Sequence, residues 1–303
     1  MIRLGTRAST LALAQAGLVA AGLRALGEPV ELVPMRTEGD RRAAARLADI
    51  GGKGLFVREI EQALLDGAID VAVHSLKDLP ALLPVGLALR AYPAREDPRD
   101  VLVAHAPGGL DALRPAAVVG TSSPRRRALL LAVRPDVVVQ PIRGSVETRL
   151  RKLGDQAFDA VMLAAAGLTR LGITPSHTVP LPPDRFVPAV GQGILGVEAR
   201  ADDTRVAGLL AALDHAPTRA CALAERAYLA RLGASCTTPM AGHATVDGDG
   251  LRMIAVVVSD DGRTLLRATA AAPMAEAERL GRGLAERLLA EGAAAVTALA
   301  PRA

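Results

Sequence analysis

Residues 69–80 (IDVAVHSLKDLP) constrain the fold more than any other stretch. Val71 and Val73 are β-branched and alternate with smaller residues, which reads as a short buried strand over 69–73. Four polar side chains, His74, Ser75, Lys77 and Asp78, follow almost at once. Pro80 then biases Leu79 away from helical backbone. A buried strand that empties into polar residues is how an open α/β sheet presents chemistry at its carboxyl edge. A solvated strand-to-loop exit has the same pattern. The lysine argues for chemistry: the chain holds three lysines, Lys53, Lys77 and Lys152, among 36 basic residues. Where arginine is the default cation, a compact ammonium beside Asp78 marks a tight site, because the two cations are not interchangeable there.

Strand, turn and helix alternate around this stretch. Residues 2–4 read as a strand, 5–9 as a turn, and Ser9 or Thr10 as the N-cap of a helix to about Leu26. Arg7 falls between a strand's end and a helix's start, which is either an anion site or an exposed surface position. Residues 30–35 form a second strand. Lys53 lies in a glycine-rich turn that is not a phosphate loop, since Gly54 follows it where that motif needs Ser or Thr. Residues 55–65 read as a helix, with Phe56 at its mouth either in the core or against a flat ligand. This alternation predicts an α/β domain with a largely parallel sheet.

Residues 92–100 are polar and proline-rich, the expected hinge into a second domain. Strands at 101–104 and 117–119 lead to 120–127 (GTSSPRRR), which offers the hydroxyls Thr121, Ser122 and Ser123. Ser123 is a strong N-cap and Pro124 an apt first helical residue. Arg125, Arg126 and Arg127 at that helix start oppose the macrodipole, at roughly 0.3–1 kcal/mol each, so the segment calls for an anion. A solvated basic turn is the alternative. Residues 137–140 form a strand, and 142–150 repeat the plan, with Ser145 as cap and Arg143, Gly144 and Arg149 around the helix start. A strand at 159–164 and a helix at 165–171 follow. Arg170 near that helix's end fits a favourable C-terminal charge. Gln192 lies in a glycine turn at 190–193. The strand at 194–198 is read as the return crossing that closes the first sheet.

Helices at 203–213 and 218–232, strands at 251–258 and 264–270, and a helix at 274–291 predict a third, α+β domain. Cys221 falls within a helix. Cys236 falls in a small-residue loop, where it is a nucleophile, an attachment point or an inert thiol.

Composition narrows the partners. The 303 residues suffice for two or three domains with full cores. The net charge of +4 suits an anionic ligand. Nucleic acid is disfavoured: acids interleave with the bases, and aromatics make up 2% of the chain. No apolar run reaches the ~18–20 residues of a membrane span. Two cysteines and a start that runs straight into a strand predict a cytoplasmic protein without a disulfide framework. No metal-ligand spacing stands out.

The motifs in order resemble the hydroxymethylbilane synthase, or porphobilinogen deaminase, family. They are 5–7 (GTR), 51–56 (GGKGLF), 74–80 (HSLKDLP), 120–126 (GTSSPRR), 143–149 (RGSVETR), 188–193 (PAVGQG) and the Cys236 loop. The resemblance implies an α/β fold of three domains. Two would be type II periplasmic-binding-protein-like domains around a cleft, at 1–93 plus 194–212 and at 99–188, with a smaller α+β domain at 216–303. It implies a transferase that joins four porphobilinogens head to tail, with loss of ammonia, into a linear tetrapyrrole. It also implies a dipyrromethane cofactor in thioether linkage to Cys236, a catalytic Asp78 and a monomer. Cofactor contacts carry over to Lys77, Ser75, Thr121, Ser123, Arg125, Arg126, Arg143 and Gly144. Substrate contacts carry over to Arg7, Ser9, Lys53, Phe56, Arg149, Arg170 and Gln192. The residue chemistry agrees, since porphobilinogen bears two carboxylates and arginine forks suit carboxylates. The chain departs from the family's common pattern at Ala234–Ser235 before Cys236, at Pro124 and at Asp49. A non-catalytic clamshell that closes on a carboxylate ligand is the competing reading.

Overall fold

The computed structural model describes residues 1–37, 57–155, 157–234, 237–297 and 299. Lys53, Phe56, Asp49 and Cys236 lie outside them. Three sheets organise the rest. The first has five strands in the order β2-β1-β3-β10-β4: β1 (Ile2–Arg7), β2 (Val30–Met35), β3 (Val71–Ser75), β4 (Leu87–Ala91) and β10 (Leu195–Arg200). The second runs β7-β6-β8-β5-β9: β5 (Asp100–Ala104), β6 (Val118–Gly120), β7 (Val138–Gln140), β8 (Ala160–Ala164) and β9 (Thr178–Pro180). The third is an antiparallel meander of β11 (Met240–Asp247), β12 (Gly250–Val258) and β13 (Leu265–Pro273).

In the first sheet β1 pairs in parallel with β2 and β3. Strand β10 does not close the sheet's edge, contrary to the expectation from sequence. It inserts between β3 and β4, antiparallel to both, with Leu195 opposite Ser75. In the second sheet β5 is likewise antiparallel to β8 and β9. The chain's path explains both reversals. Two segments cross between the sheets, 92–99 and 181–194. Each leaves a strand that ends at the facing edge and enters the other sheet at its own facing edge. The incoming strand must therefore run away from that edge, against neighbours that end there. Each sheet is therefore largely parallel as expected, four strands running one way, with one reversed strand inserted.

Helix α1 (Thr10–Ala25) starts at Ser9, whose side chain accepts from the Ala12 amide. Ala12, Gln15, Ala16, Val19, Ala20 and Leu23 are its buried face, at helical spacing, against Ile2, Leu4, Val71 and Val73. Helix α2 (Arg58–Leu65) covers the other face through Ile60 and Leu64, against Ile69 and Ala72. Strand β3 is buried on both faces, so it reads as a near-continuous apolar run. It also extends two residues beyond the expected 69–73, taking in His74 and Ser75.

The second sheet carries α3 (Pro124–Val133), α4 (Val146–Gly154) and α5 (Ala165–Leu171). After α6 (Thr204–Ala211), the third sheet packs its helices α7 (Ala216–Leu232) and α8 (Ala277–Ala290) around Tyr228, Leu280, Leu284 and Leu288. A Cβ at Gly281 would collide with the Ala224 carbonyl, so only glycine permits this helix contact. Ala241, Val256 and Val258 share a core with Leu102, Val119, Leu129 and Phe186. The third sheet therefore leans on the second. Strand β11, built of small residues, is the strand that sequence reading passes over in this region.

Candidate active site

The carboxyl ends of β1 and β3 face those of β6 and β8 across a cleft. Beyond Ser75, residues Leu76–Asp78 form one turn of 3-10 helix, closed when the Leu79 amide donates to the Leu76 carbonyl. Its lining is close-fitted: a Cβ at Gly191, already at φ +73°, would meet Leu76 Cβ and the Lys77 amide at 3.0 Å. Arg7, Ser9, Gln15, His74, Ser75 and Asp78 line a small open-mouthed cavity of about 60 Å³. Arg7 ends β1, and Asp78 is exposed to the cavity. Ser75 is held by Gln15, whose amide lies 2.9 Å from the Ser75 hydroxyl.

The opposing wall is cationic. Ser123 caps α3 by accepting from the Arg126 amide, and Thr121 Oγ accepts from the Ser123 amide. The anion that Arg125 and Arg126 need is inside the protein: Asp100, the first residue of β5. Arg125 donates to both Asp100 oxygens, at 2.6 and 3.1 Å, and to the Val187 carbonyl. Arg126 donates from Nε to Asp100 Oδ1 at 2.8 Å and from Nη1 to the Met162 carbonyl. These two guanidiniums therefore form a buried plinth rather than an open anion seat. The neighbouring arginines hold Asp100 well below the usual carboxylate range, against its desolvation.

Gln192 is 1% exposed. Its amide nitrogen donates to Asp100 Oδ1 at 3.0 Å and to the Pro98 carbonyl at 2.7 Å. Its oxygen accepts from Lys77 Nζ at 3.4 Å. Gln192 thus lies beneath the cleft and ties the Lys77 turn to the Asp100 pair. Lys77 is half-buried, and desolvation together with Arg126 lowers its pKa to about 8. Arg149 donates to the Gly144 carbonyl at 3.0 Å, and Ser145 caps α4. Burial and the charges of Arg126 and Arg143 lower its pKa to about 10. Arg170 donates to the Gly193 carbonyl at 2.6 Å, which pins α5 to the return crossing. Burial lowers its pKa as well.

The structure therefore gathers Arg7, Ser9, Ser75 and Asp78 at one cavity. Lys77 adjoins Asp78 and is near Arg126 and Asp100, whereas Thr121, Ser123, Arg143, Gly144, Arg149 and Arg170 do not line that cavity. Sequence reasoning missed Gln15 and Asp100. A lone glutamine on the apolar face of α1 was the signal for the first. The second was hidden among the charges of the presumed hinge. Cations crowded until burial and mutual repulsion lower their pKa values are a wall that favours multiple carboxylates. A dipyrromethane that carries acetate and propionate arms fits that wall. Among the described residues no cluster of His, Cys, Asp and Glu is arranged to hold a metal ion. No described helix is long and apolar enough to cross a membrane.

The architecture is that of a two-sheet cleft with an acid on one lip and cations on the other. Residues 2–208 match the model of the porphobilinogen deaminase dipyromethane cofactor binding domain, and 219–290 match that of the porphobilinogen deaminase C-terminal domain. A porphobilinogen deaminase of Syntrophotalea carbinolica is 50% identical over 96% of this chain and 93% of its own. One of Trichlorobacter lovleyi is 48% identical over 97% and 95%. The chain belongs to the porphobilinogen deaminase family of transferases. Among solved structures, a periplasmic substrate-binding protein of an ABC transporter from Coxiella burnetii aligns with a TM-score of 0.45 and 17% identity, over 70% of this chain and 92% of that one.

Proposed function

We propose that the chain polymerises four porphobilinogens head to tail, releasing ammonia, into a linear tetrapyrrole. The primer is a dipyrromethane in thioether linkage to Cys236, and Asp78 is the catalytic carboxylate. The observation that carries this reading is the placement of Asp78: an exposed acid on a tightly seated turn, next to Lys77, lining one cavity with Arg7, Ser9, Gln15 and Ser75. When bound, the dipyrromethane supplies the nucleophilic pyrrole carbon and the point of chain growth.

The chain's own groups do the rest. Lys77, Arg143 and Arg149, with the hydroxyls of Ser75, Thr121 and Ser123 and the backbone at Gly144, are the groups that would hold its carboxylates. Arg125 and Arg126 would reach those carboxylates only by exchanging Asp100 for them. Arg7, Ser9, Lys53, Phe56 and Arg170 are assigned to the incoming porphobilinogen. Gln192 acts from below by orienting Lys77. Asp78 Oδ accepts the pyrrole N–H, stabilises the positive charge left on the substrate when ammonia departs, and takes the proton released as the new bond forms.

Cys221 supports the assignment of Cys236 by contrast. It is buried in α7, where desolvation and Glu225 push its thiol up to about 11, a poor nucleophile. We further assign the protein to the cytoplasm and a monomeric state. Intact-mass spectrometry tests the reading. The purified protein should carry a fixed added mass that Cys236→Ser abolishes together with activity and that Cys221→Ser retains. A protein without added mass that binds but never consumes porphobilinogen would be the binding clamshell instead.

A further inference from the structure

The C-terminal domain reaches the Lys77 turn through one buried acid. Glu225 lies on α7, its side chain 0% exposed. Its Oε1 accepts from Arg95 Nη1 at 2.7 Å and from the Ala244 amide at 2.8 Å, and its Oε2 accepts from the Gly191 amide at 2.6 Å. Arg95 belongs to the first crossing between the sheets and Gly191 to the second. Arg95 also donates from Nε to the Gln192 carbonyl at 2.9 Å. The backbone of residues 191 and 192 is therefore gripped twice. The acid holds the amide of one, and its guanidinium partner holds the carbonyl of the other. Beyond them is the turn that carries Asp78. Gln192 Oε1 accepts from Lys77 Nζ at 3.4 Å, and a Cβ at Gly191 would meet Leu76 and the Lys77 amide at 3.0 Å. Two neighbours of Glu225 on α7 reach the same turn independently. Ala222 shares a buried cluster with Leu76 and Leu79, and Arg226 donates to the Ala81 carbonyl at 2.9 Å. An ion pair that only joined two lobes would need neither the Gly191 bond nor the Gln192 bond.

We propose that Glu225 and Arg95 are positioning residues for Lys77: they fix the backbone of residues 191 and 192, and Gln192 passes that placement to the ammonium beside Asp78. This rests on the reading of Lys77 as a holder of cofactor carboxylates, given above. Neither residue touches substrate. Charge alone does not suffice for the role. The Gly191 bond needs the reach of a glutamate. The double contact of Arg95, to Glu225 and to Gln192, needs a planar fork, which a single ammonium does not supply. Misplacement of a binding group by about 1 Å can cost on the order of a hundredfold in rate, so a shift passed along this path acts on every addition. The same helix leads in sequence to Cys236. One element thus serves both the assigned attachment point and a cation assigned to the attached group.

The scarcity of lysine, three in the chain, makes the test direct. Trace acetylation with acetic anhydride, read by peptide mass, compares the freedom of Lys77 with that of Lys152. Glu225→Asp keeps the charge but withdraws the carboxylate from Gly191. Arg95→Lys keeps an ion pair but loses the second contact. Each variant should label Lys77 severalfold faster than the wild type does, with Lys152 unchanged. Each should keep the cofactor's added mass yet slow single-turnover pyrrole addition about tenfold to a hundredfold, measured by rapid quench and intact mass. Arg95→Lys decides the question if Glu225→Asp does not fold. Variants that melt lower but label Lys77 and add pyrrole at wild-type rates overturn the proposal and leave the pair a bolt between lobes. Slower addition with Lys77 labelled as in the wild type overturns it too, because the effect then bypasses Lys77. A wild-type protein without added mass that adds no pyrrole overturns the functional reading instead, and the labelling alone then decides whether the clamp sets Lys77.

Discussion

Replacing Asp100 with Asn tests how the cationic wall is held together. Asn keeps the size and one acceptor but removes the charge. It also sets an NH2 donor against guanidinium donors. In the native protein Asp100 is fully buried and accepts from Arg125, Arg126 and Gln192, with oxygen contacts of 2.6 to 3.1 Å. The two arginine side chains are 6% and 7% exposed, so water cannot replace the lost anion. Removing one partner of a buried ion pair typically costs about 3–5 kcal/mol. At about 2–4 °C per kcal/mol in chains of 150–250 residues, the midpoint should fall by about 6–20 °C. Differential scanning calorimetry at pH 7 measures this. The pH dependence has a definite sign. The Asp100 carboxyl titrates far lower when folded than unfolded, so its stabilisation is complete above the ordinary aspartate pKa near 3.9 and fades as pH falls below that value. The wild-type–mutant gap should therefore be constant from pH 6 to 8 and narrow below about pH 4. An Asp100→Asn protein that melts within a degree of the wild type would refute the reasoning.

Two further outcomes follow from the same geometry. Asp78→Asn should fold normally and slow single-turnover addition by about a hundredfold or more, the scale of one lost preorganised electrostatic group. Elongation at the wild-type rate would reduce the turn to a binding edge. Lys77 titrates near pH 8 because burial and Arg126 disfavour its charge, so a bound carboxylate should draw a proton onto it. Affinity for porphobilinogen should then fall as pH rises from 8 to 10. Calorimetry in buffers of different ionisation enthalpy should show proton uptake in that window. Lys77→Arg should abolish both, because a guanidinium does not titrate there.

The local rules of helix starts and strand ends carried much of the site into view from sequence. Ser9, Ser123 and Ser145 are N-caps because each hydroxyl side chain precedes a helical run, and the structure places each in that role. The same rules identified the polar exit of β3. Long-range pairing was not visible. Arg125 and Arg126 lie about 25 residues from Asp100, and nothing local marks that carboxylate as their anion. Strand β11 was missed because Met240–Asp247 is mostly small residues, whose strand character comes from pairing with β12. The position of β10 was missed because alternation of strands and helices says nothing of a strand that arrives from another sheet. For Gln192 the resemblance implies a substrate contact, and its glycine turn says nothing of its partners. Its burial against Pro98, Asp100 and Lys77 is a tertiary fact.

The two reversed strands bring the acids that the cleft requires. Strands β5 and β10 both begin at the cleft edge because both arrive from the opposite sheet. Each sets a buried carboxylate behind that edge: Asp100 at the start of β5 and Glu198 within β10. Each acid meets a cation or imidazole from the sheet it has entered, Arg125 and Arg126 in one case and His74 in the other. The crossings thus do more than connect two lobes. They carry counter-charge into places that local strand–turn–helix sequence fills with bases. Gln192, on the second crossing, then links Lys77 of one lobe to Asp100 of the other. An anion that enters the cleft and draws on Lys77 is therefore coupled, through one amide and one carboxylate, to the arginines across it. Lys77 and Arg149, whose charge burial disfavours, are the cations that an entering carboxylate would favour most.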